Sequence, residues 1–221
     1  MPKGIPEQPW PLSKAELESE ATTDLAQLLQ THPDRSADLG NPLNLPKFFL
    51  AYEFYREQGF PRDEIGSHLR GIDFNQAVET ITMPPPRILS QWQIPALGTE
   101  TPRVGCYWMI PKASTPKSLG INPKGPRFDP NKGRPSSSVM MERTEFNFKC
   151  PDDTPPIAVL RTTAASIIDD WTDKSNPRRV YGGGQQHFSR ELGDYYKQTF
   201  HYQLGRQWLH RSPLGVLKEE G

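Results

Sequence analysis

The chain has 221 residues, of which 34% are hydrophobic, with 24 prolines and 17 glycines; this composition favours an α+β domain with many irregular connections over long helices. Its 26 basic and 26 acidic residues balance, so the chain lacks the net positive charge typical of a protein that holds duplex nucleic acid by its phosphates, while a local basic patch is compatible with this composition. Two cysteines without paired spacing and five histidines without an HExxH motif predict no metal site, and no apolar run approaches the ~18 residues of a membrane span.

Residues 1–45 are expected to be an N-terminal extension or linker with a helix, ahead of a larger domain at 46–221. Ser13 followed by Glu16 forms a capping box, and leucines recur at helical spacing after it. This pattern predicts a helix that either lies on the domain or belongs to a linker.

Two short helices are predicted next. The run "LPKFFLAYEFYREQGF" places aromatic residues on roughly one helical face and ends at Gly59, which is suited to a helix C-terminus. The run "PRDEIGSHLRGI" opens with Pro61, carries acids in its first turn and ends near Gly71.

The following segments have the composition of strands. The runs "FNQAVETITM", "RILSQWQIPAL" and "RVGCYWMIP" predict neighbouring antiparallel strands. A polar stretch at 114–138 is longer than an ordinary connection, so it is either functional or mobile. After it, "VMMERTEFNF" predicts another strand and "PPIAVLRTT" a buried one.

Several groups of residues could carry chemistry. Gln91 and Gln93 flank Trp92 and point to the same side of a strand, which is either an exposed edge or the wall of a cleft. The glycines Gly182, Gly183 and Gly184 precede "QQHF" and form either a flexible hairpin loop or a place where a ligand approaches the backbone closely. They match neither the P-loop nor the GxGxxG pattern.

Tyr107 and Trp108 either stack on a flat ring or belong to the core. Arg161, inside an apolar strand, requires an anionic partner, either a carboxylate or a pyrophosphate. Asp169 and Asp170 begin an acidic turn that lies either on a cleft rim or in solvent.

The stretch from Gly71 to Phe188 resembles, in the order and spacing of its motifs, the catalytic domain of a bacterial polymorphic-toxin family. The motifs are "GIDF", "SQWQ", "GCYWMIP", "SLGI", "VLRTTAASI" and "GGGQQHF". That family contains the NAD(P)+ glycohydrolase effectors that type VI secretion delivers between competing bacteria. The resemblance therefore implies that residues 46–221 are a catalytic toxin domain.

The resemblance implies an ADP-ribosyltransferase-like fold, with two small, mostly antiparallel sheets around a cleft and helices at the N-terminus. It places Gln91 beside the nicotinamide ribose, and Gly182 to Gly184 with Gln186 beside the reacting carbon. An acid of the Asp169 to Asp170 turn, assigned to Asp170, completes the catalytic set. The chain departs from the family pattern in its 122–138 insertion and its aromatic C-terminal tail.

The implied reaction needs no metal and no resident cofactor, because nicotinamide leaves as a neutral group from an oxocarbenium-like transition state. NAD+ or NADP+ is then the substrate. Gln91, Asp170 and Gln186 would stabilise positive charge on the ribose, Tyr107 or Trp108 would stack on nicotinamide, and Arg161 would bind the pyrophosphate.

Hydrolysis is favoured over transfer to a protein side chain because glutamine at position 186 cannot act as a base. An ADP-ribosyltransferase that modifies protein or nucleic acid, and a non-catalytic binding module, remain as alternatives. The resemblance also implies an immunity protein that blocks the cleft, a delivery or secretion component, and action in the cytoplasm of a target cell.

Overall fold

The computed structural model describes residues 11–84, 88–94, 104–129, 134–149, 154–169, 177–198, 200–204, 207–211 and 217–219. Its helices are α1 (Lys14–Thr31), α2 (Ser36–Leu39), α3 (Leu45–Glu57), α4 (Arg62–Arg70) and α5 (Arg190–Gln198), with 3₁₀ turns at Pro33–Arg35, Pro42–Asn44 and Lys117–Leu119. The strands up to the polar stretch are β1 (Glu79–Met83), β2 (Ile88–Gln93) and β3 (Tyr107–Trp108). The later ones are β4 (Lys124–Asp129), β5 (Arg134–Glu142), β6 (Thr144–Lys149), β7 (Ile157–Thr163), β8 (Ile167–Asp169), β9 (Arg178–Val180), β10 (Gln185–Phe188), β11 (Phe200–Leu204), β12 (Gln207–Arg211) and β13 (Leu217–Glu219).

The N-terminal helices pack together, and their core extends to Leu160 of β7 and Phe188 of β10. Helix α1 begins at the predicted capping box, in which the Ser13 N–H donates to the Glu16 carboxylate at 2.9 Å and the Ser13 hydroxyl accepts from the Glu16 N–H at 3.3 Å. Its buried side chains share one hydrophobic core with Phe48 and Tyr52 of α3. Of the two alternatives for this segment, the structure has the helix that lies on the domain, while the functional division at residue 45 stays a prediction.

Two antiparallel sheets form the body of the molecule. One has the strand order β1-β7-β10-β3 and the other β13-β12-β11-β6-β2. They meet where the Ser90 N–H donates to the Met109 carbonyl at 2.8 Å and the Met109 N–H donates back at 3.0 Å. The α+β class, with helices beside small antiparallel sheets, is confirmed.

The prediction that β1, β2 and β3 are neighbouring strands is wrong for β1, which borders neither of the other two. β1 pairs with β7, and β3 with β10, while β2 belongs to the second sheet beside β6. The prolines at 84–86 between β1 and β2 lack the N–H that a ladder requires, so a direct hairpin is disfavoured. Part of the polar stretch forms the β4–β5 ribbon, whose register shifts after Pro126.

Two properties of the described ranges bear on function. No helix within them has both the length and the hydropathy needed to cross a membrane. Nor do those ranges contain a cluster of three or more His, Cys, Asp or Glu side chains suited to holding a metal ion.

Candidate active site

A cavity of about 750 Å³ lies where the two sheets meet, between α4, the β2–β3 junction and the backbone that follows the Lys117–Leu119 turn. Of the residues that the resemblance assigned to the site, four contribute to its wall: Gln91, Tyr107, Trp108 and Gln186. The volume is in the range that encloses much of a drug-sized organic ligand. The cavity is therefore the candidate site.

Gln186 reaches the cavity from strand β10. Its side chain is 8% exposed and its amide has no hydrogen-bond partner among the described residues. The adjacent Gln185 is exposed and does not line the cavity, as strand alternation predicts. Gln186 thus presents an unengaged amide, with both a donor and an acceptor, to whatever occupies the cavity.

Gln91 lines the opposite wall, but its amide is engaged by backbone. Its Nε2 donates to the carbonyls of Gly105 and Tyr107 at 3.1 and 2.8 Å, and its Oε1 accepts from the Gly105 N–H at 3.0 Å. The side chain is 5% exposed, so of the two sequence alternatives the structure has the cleft wall and not an exposed edge. The amide joins β2 to the segment that leads into β3.

Tyr107 lies in a buried aromatic cluster that the sequence did not reveal. Its hydroxyl is 2.6 Å from Nδ1 of His68 and 3.2 Å from the hydroxyl of Tyr55. The His68 ring is stacked with that of Tyr55, with centroids 5.1 Å apart. Burial lowers the pKa of His68 to about 4, so the imidazole at the cavity wall is neutral at pH 7.

His68 was missed because a single histidine in a short helix carries no motif. One signal was available: His68 lies three residues after Ile65 and directly before Leu69, both fully buried, which places it at the inward face of α4.

Trp108 also lines the cavity, but it is only 1% exposed and packs edge-on against Phe148 at 5.6 Å. Its surroundings are therefore those of a core residue.

Arg161 does not line the cavity. It lies on β7 opposite Glu79 of β1, and its Nε donates to the Glu79 carboxylate at 3.1 Å. Of the two anionic partners considered for it, the structure has the carboxylate. The arginine in the cavity wall is Arg143, which the sequence analysis did not single out.

Of the two acids at 169 and 170, the structure describes only Asp169. Asp169 is 1% exposed, and its carboxylate accepts from the Asn122 N–H at 2.8 Å, so it is not in a solvated turn. Asp170, assigned to the catalytic set, lies outside the described residues, and its role stays a prediction.

The three glycines approach the protein's own backbone. A Cβ on Gly182, which has φ +62°, would lie 2.3 Å from the Ala165 carbonyl carbon, and one on Gly184 would lie 2.8 Å from the Ser118 carbonyl oxygen. The N–H groups of all three donate to backbone carbonyls at 2.7–3.1 Å. The run is thus not a slack loop, and the close neighbour of Gly182 and Gly184 is protein backbone. The close approach of a ligand to these glycines stays a prediction.

Residues 29–195 match the family Ntox46, Bacterial toxin 46. The chain belongs to this bacterial toxin family. Among curated relatives of this Ntox46 member, it is 30% identical over 145 residues to the "NAD(P)(+) glycohydrolase toxin Tse6" of Pseudomonas aeruginosa. That alignment takes in 66% of the chain and 30% of the relative, so the chain spans about a third of the relative's length.

A solved structure shares the fold of this Ntox46 member. It is the "Structure of Tse6 in complex with Tsi6", which aligns with a TM-score of 0.52 and 24% identity, covering 74% of this chain and 98% of that one. At this identity the likeness shows the fold.

Proposed function

We propose that this Ntox46 protein is an NAD(P)+ glycohydrolase toxin that cleaves the bond between nicotinamide and ribose and so depletes NAD+ and NADP+ in a target cell. Family membership and the activity in the name of the Pseudomonas aeruginosa relative support the proposal. The observation that carries it in this chain is the unengaged amide of Gln186 at a cavity of about 750 Å³.

The chemistry follows from where charge moves. Nicotinamide carries the positive charge in the substrate and leaves neutral, so the charge passes to the ribose ring as the C1′–N bond breaks. The Gln186 amide oxygen stabilises this charge, and water then adds to C1′ and loses a proton, giving ADP-ribose. Asp170 is the proposed acidic partner.

The nicotinamide ring is proposed to lie against Tyr107. The tyrosine ring lines the cavity, and its hydroxyl is held between His68 and Tyr55. A neutral imidazole behind this wall does not repel the cationic nicotinamide of the substrate, whereas an imidazolium would. Gln91 holds the backbone at Tyr107 and so sets the position of the ring.

The finer fold assignment, an ADP-ribosyltransferase-like arrangement of sheets around a bent dinucleotide, belongs to this proposal. So does release of ADP-ribose to water and not to an acceptor, because the amide of Gln186 has no proton-accepting strength. Of the three glycines, Gly183 has open space where a Cβ would be, so it is the one proposed to contact a part of the ligand that lies outside the cavity.

We further propose that the protein reaches the cytoplasm of a target cell through a secretion system, and that an immunity protein blocks the cavity. Membership of a bacterial toxin family supports action in a target cell. The solved relative, which is in complex with a second protein, Tsi6, supports a protein partner.

Product analysis tests the proposal. Purified protein incubated with NAD+ or NADP+ alone is expected to release nicotinamide and the matching ADP-ribose product in equal amounts. Loss of NAD+ only after lysate is added, with label on protein or nucleic acid, would instead indicate an ADP-ribosyltransferase. Intact NAD+ and NADP+ under both conditions would leave the cavity as a binding site.

A further inference from the structure

The geometry points to Arg143 as the residue that binds the pyrophosphate of the dinucleotide in the cavity. The identity of the ligand rests on the proposed function, while the preference for a phosphate follows from the residues around the guanidinium. Arg143 lies between β5 and β6, at the point where the chain passes from the β4–β5 ribbon to the five-stranded sheet.

The guanidinium is held in place by backbone. Its Nε donates to the Asn122 carbonyl at 2.9 Å, and its Nη1 lies 3.5 Å from the Trp92 carbonyl. The Arg143 N–H donates to the Pro123 carbonyl at 2.8 Å, which fixes the start of the side chain. The remaining N–H groups of the guanidinium have no partner among the described residues.

The charge of Arg143 is only partly compensated. Burial lowers its pKa, and Asp169 opposes that effect with a smaller contribution. Of the described residues that line the cavity, Arg143 is the one with a permanent positive charge. Because Arg143 is partly buried, an anion entering the cavity would gain a charge-assisted interaction that is screened less than at an exposed site.

The free edge of the guanidinium suits a phosphate because a planar fork of N–H donors matches two phosphate oxygens. NAD+ and NADP+ share a pyrophosphate between their two ribose groups, so one such residue serves both. Arg161 offers no comparable edge, because it is outside the cavity and its fork is directed to Glu79.

Binding measured without turnover tests this inference. Titration calorimetry with ADP-ribose is expected to give a Kd at least ~10-fold weaker for Arg143→Gln than for the wild type, the scale for losing hydrogen bonds to a charged group. Arg161→Gln serves as the matched control, with unchanged affinity. Equal ADP-ribose affinity in folded Arg143→Gln and wild type would overturn the assignment.

Kinetics separates binding from damage to the fold. For NAD+, Arg143→Gln should raise KM by the same factor while kcat stays within about threefold, because the lost contact is made equally in substrate and transition state. A fall in kcat with unchanged KM would contradict this. If Arg143→Gln does not fold, Arg143→Lys, which keeps the charge without the fork, is expected to weaken ADP-ribose binding, and unchanged affinity would overturn the inference.

The two proposals fail differently. Wild-type protein that binds ADP-ribose through Arg143 but releases no nicotinamide from NAD+ would refute the glycohydrolase function and leave the phosphate site standing. Wild-type protein that hydrolyses NAD+ while Arg143→Gln binds ADP-ribose normally would refute the phosphate site alone. Wild-type protein that does not bind ADP-ribose would refute the phosphate site.

Discussion

The amides of Gln91 and Gln186 face the same cavity in different states. Gln91 satisfies two carbonyls and one N–H of the backbone, whereas Gln186 has no partner among the described residues. Replacing Gln91 with alanine leaves the Gly105 and Tyr107 carbonyls without their donor, which should cost about 1–3 kcal/mol of stability. Gln91→Glu should be no better, since a carboxylate cannot donate to either carbonyl. Urea unfolding measures the stability of both Gln91 variants. An unchanged midpoint with lost activity would show that Gln91 acts on the substrate directly.

The lowered pKa of His68 predicts how the stability of the fold depends on pH. Its pKa is about 4 in the folded protein and 6.5 as the ordinary value, so between these the unfolded chain binds more protons. Stability should therefore be complete above pH 6.5 and fall by at most about 3 kcal/mol as pH drops to 4. Burial, and then Arg161, also lower the pKa of His187, which acts in the same direction.

The comparison with His68→Gln isolates the contribution of this imidazole, because His187 and the carboxylates titrate in both proteins. Chemical unfolding at several pH values between 4 and 7.5 is expected to give a steeper curve for the wild type. Parallel curves for the two proteins would contradict the assignment.

At the scale of elements, the turn before β10 explains why three glycines occur together. Gly182→Ala combines positive φ with a backbone clash and should cost about 3 kcal/mol or more. Gly183→Ala keeps only the strain of its φ of +88°, about 1 kcal/mol. Gly66→Ala, in α4 with open space around it, should stabilise by up to about 1 kcal/mol. Thermal unfolding of the three variants tests this ranking, and equal losses at 182 and 183 would contradict it.

Local patterns predicted the elements whose causes are local. The capping box at Ser13 and the run at 157–163 each led to the element observed. Strand partners depend on contacts between residues far apart in sequence, so the local pattern did not predict that β1 pairs with β7.

The residues around the cavity likewise depend on contacts between distant parts of the sequence. Tyr107 is held by His68, 39 residues away, and Arg143 lies within a strand-like run that carries no motif. Gln91, Tyr107 and Trp108 were singled out from local patterns that left alternatives open, and Gln186 was assigned only through the order of several short motifs.

At the scale of the whole molecule, α1 is tied to the other helices by charge as well as by apolar packing. Asp24 receives hydrogen bonds from Arg62, the shortest at 2.6 Å, and from the Tyr52 hydroxyl at 2.6 Å. Asp24→Ala should therefore cost about 2–3 kcal/mol, because it removes the carboxylate that pairs with the partly buried Arg62 guanidinium, while the Tyr52 hydroxyl keeps Glu20 as an acceptor at 2.7 Å. Glu18→Ala is the control, since Glu18 forms only an exposed pair with Lys14 at 3.9 Å.

Melting temperatures measured by circular dichroism compare these two variants. A clear loss for Asp24→Ala beside a near-normal Glu18→Ala is the expected result. Equal melting temperatures would mean that the contacts of Asp24 add little to the stability of the domain.

The measurement that tests the central proposal most directly is nicotinamide release from NAD+, without any acceptor, by wild type, Gln186→Ala and Gln185→Ala. The two glutamines are adjacent, but only Gln186 lines the cavity. The wild type and Gln185→Ala should turn over at similar rates, while folded Gln186→Ala should be slower by at least ~100-fold, the usual scale for a lost transition-state contact. Near-normal activity of Gln186→Ala, or no nicotinamide release by the wild type, would contradict the account.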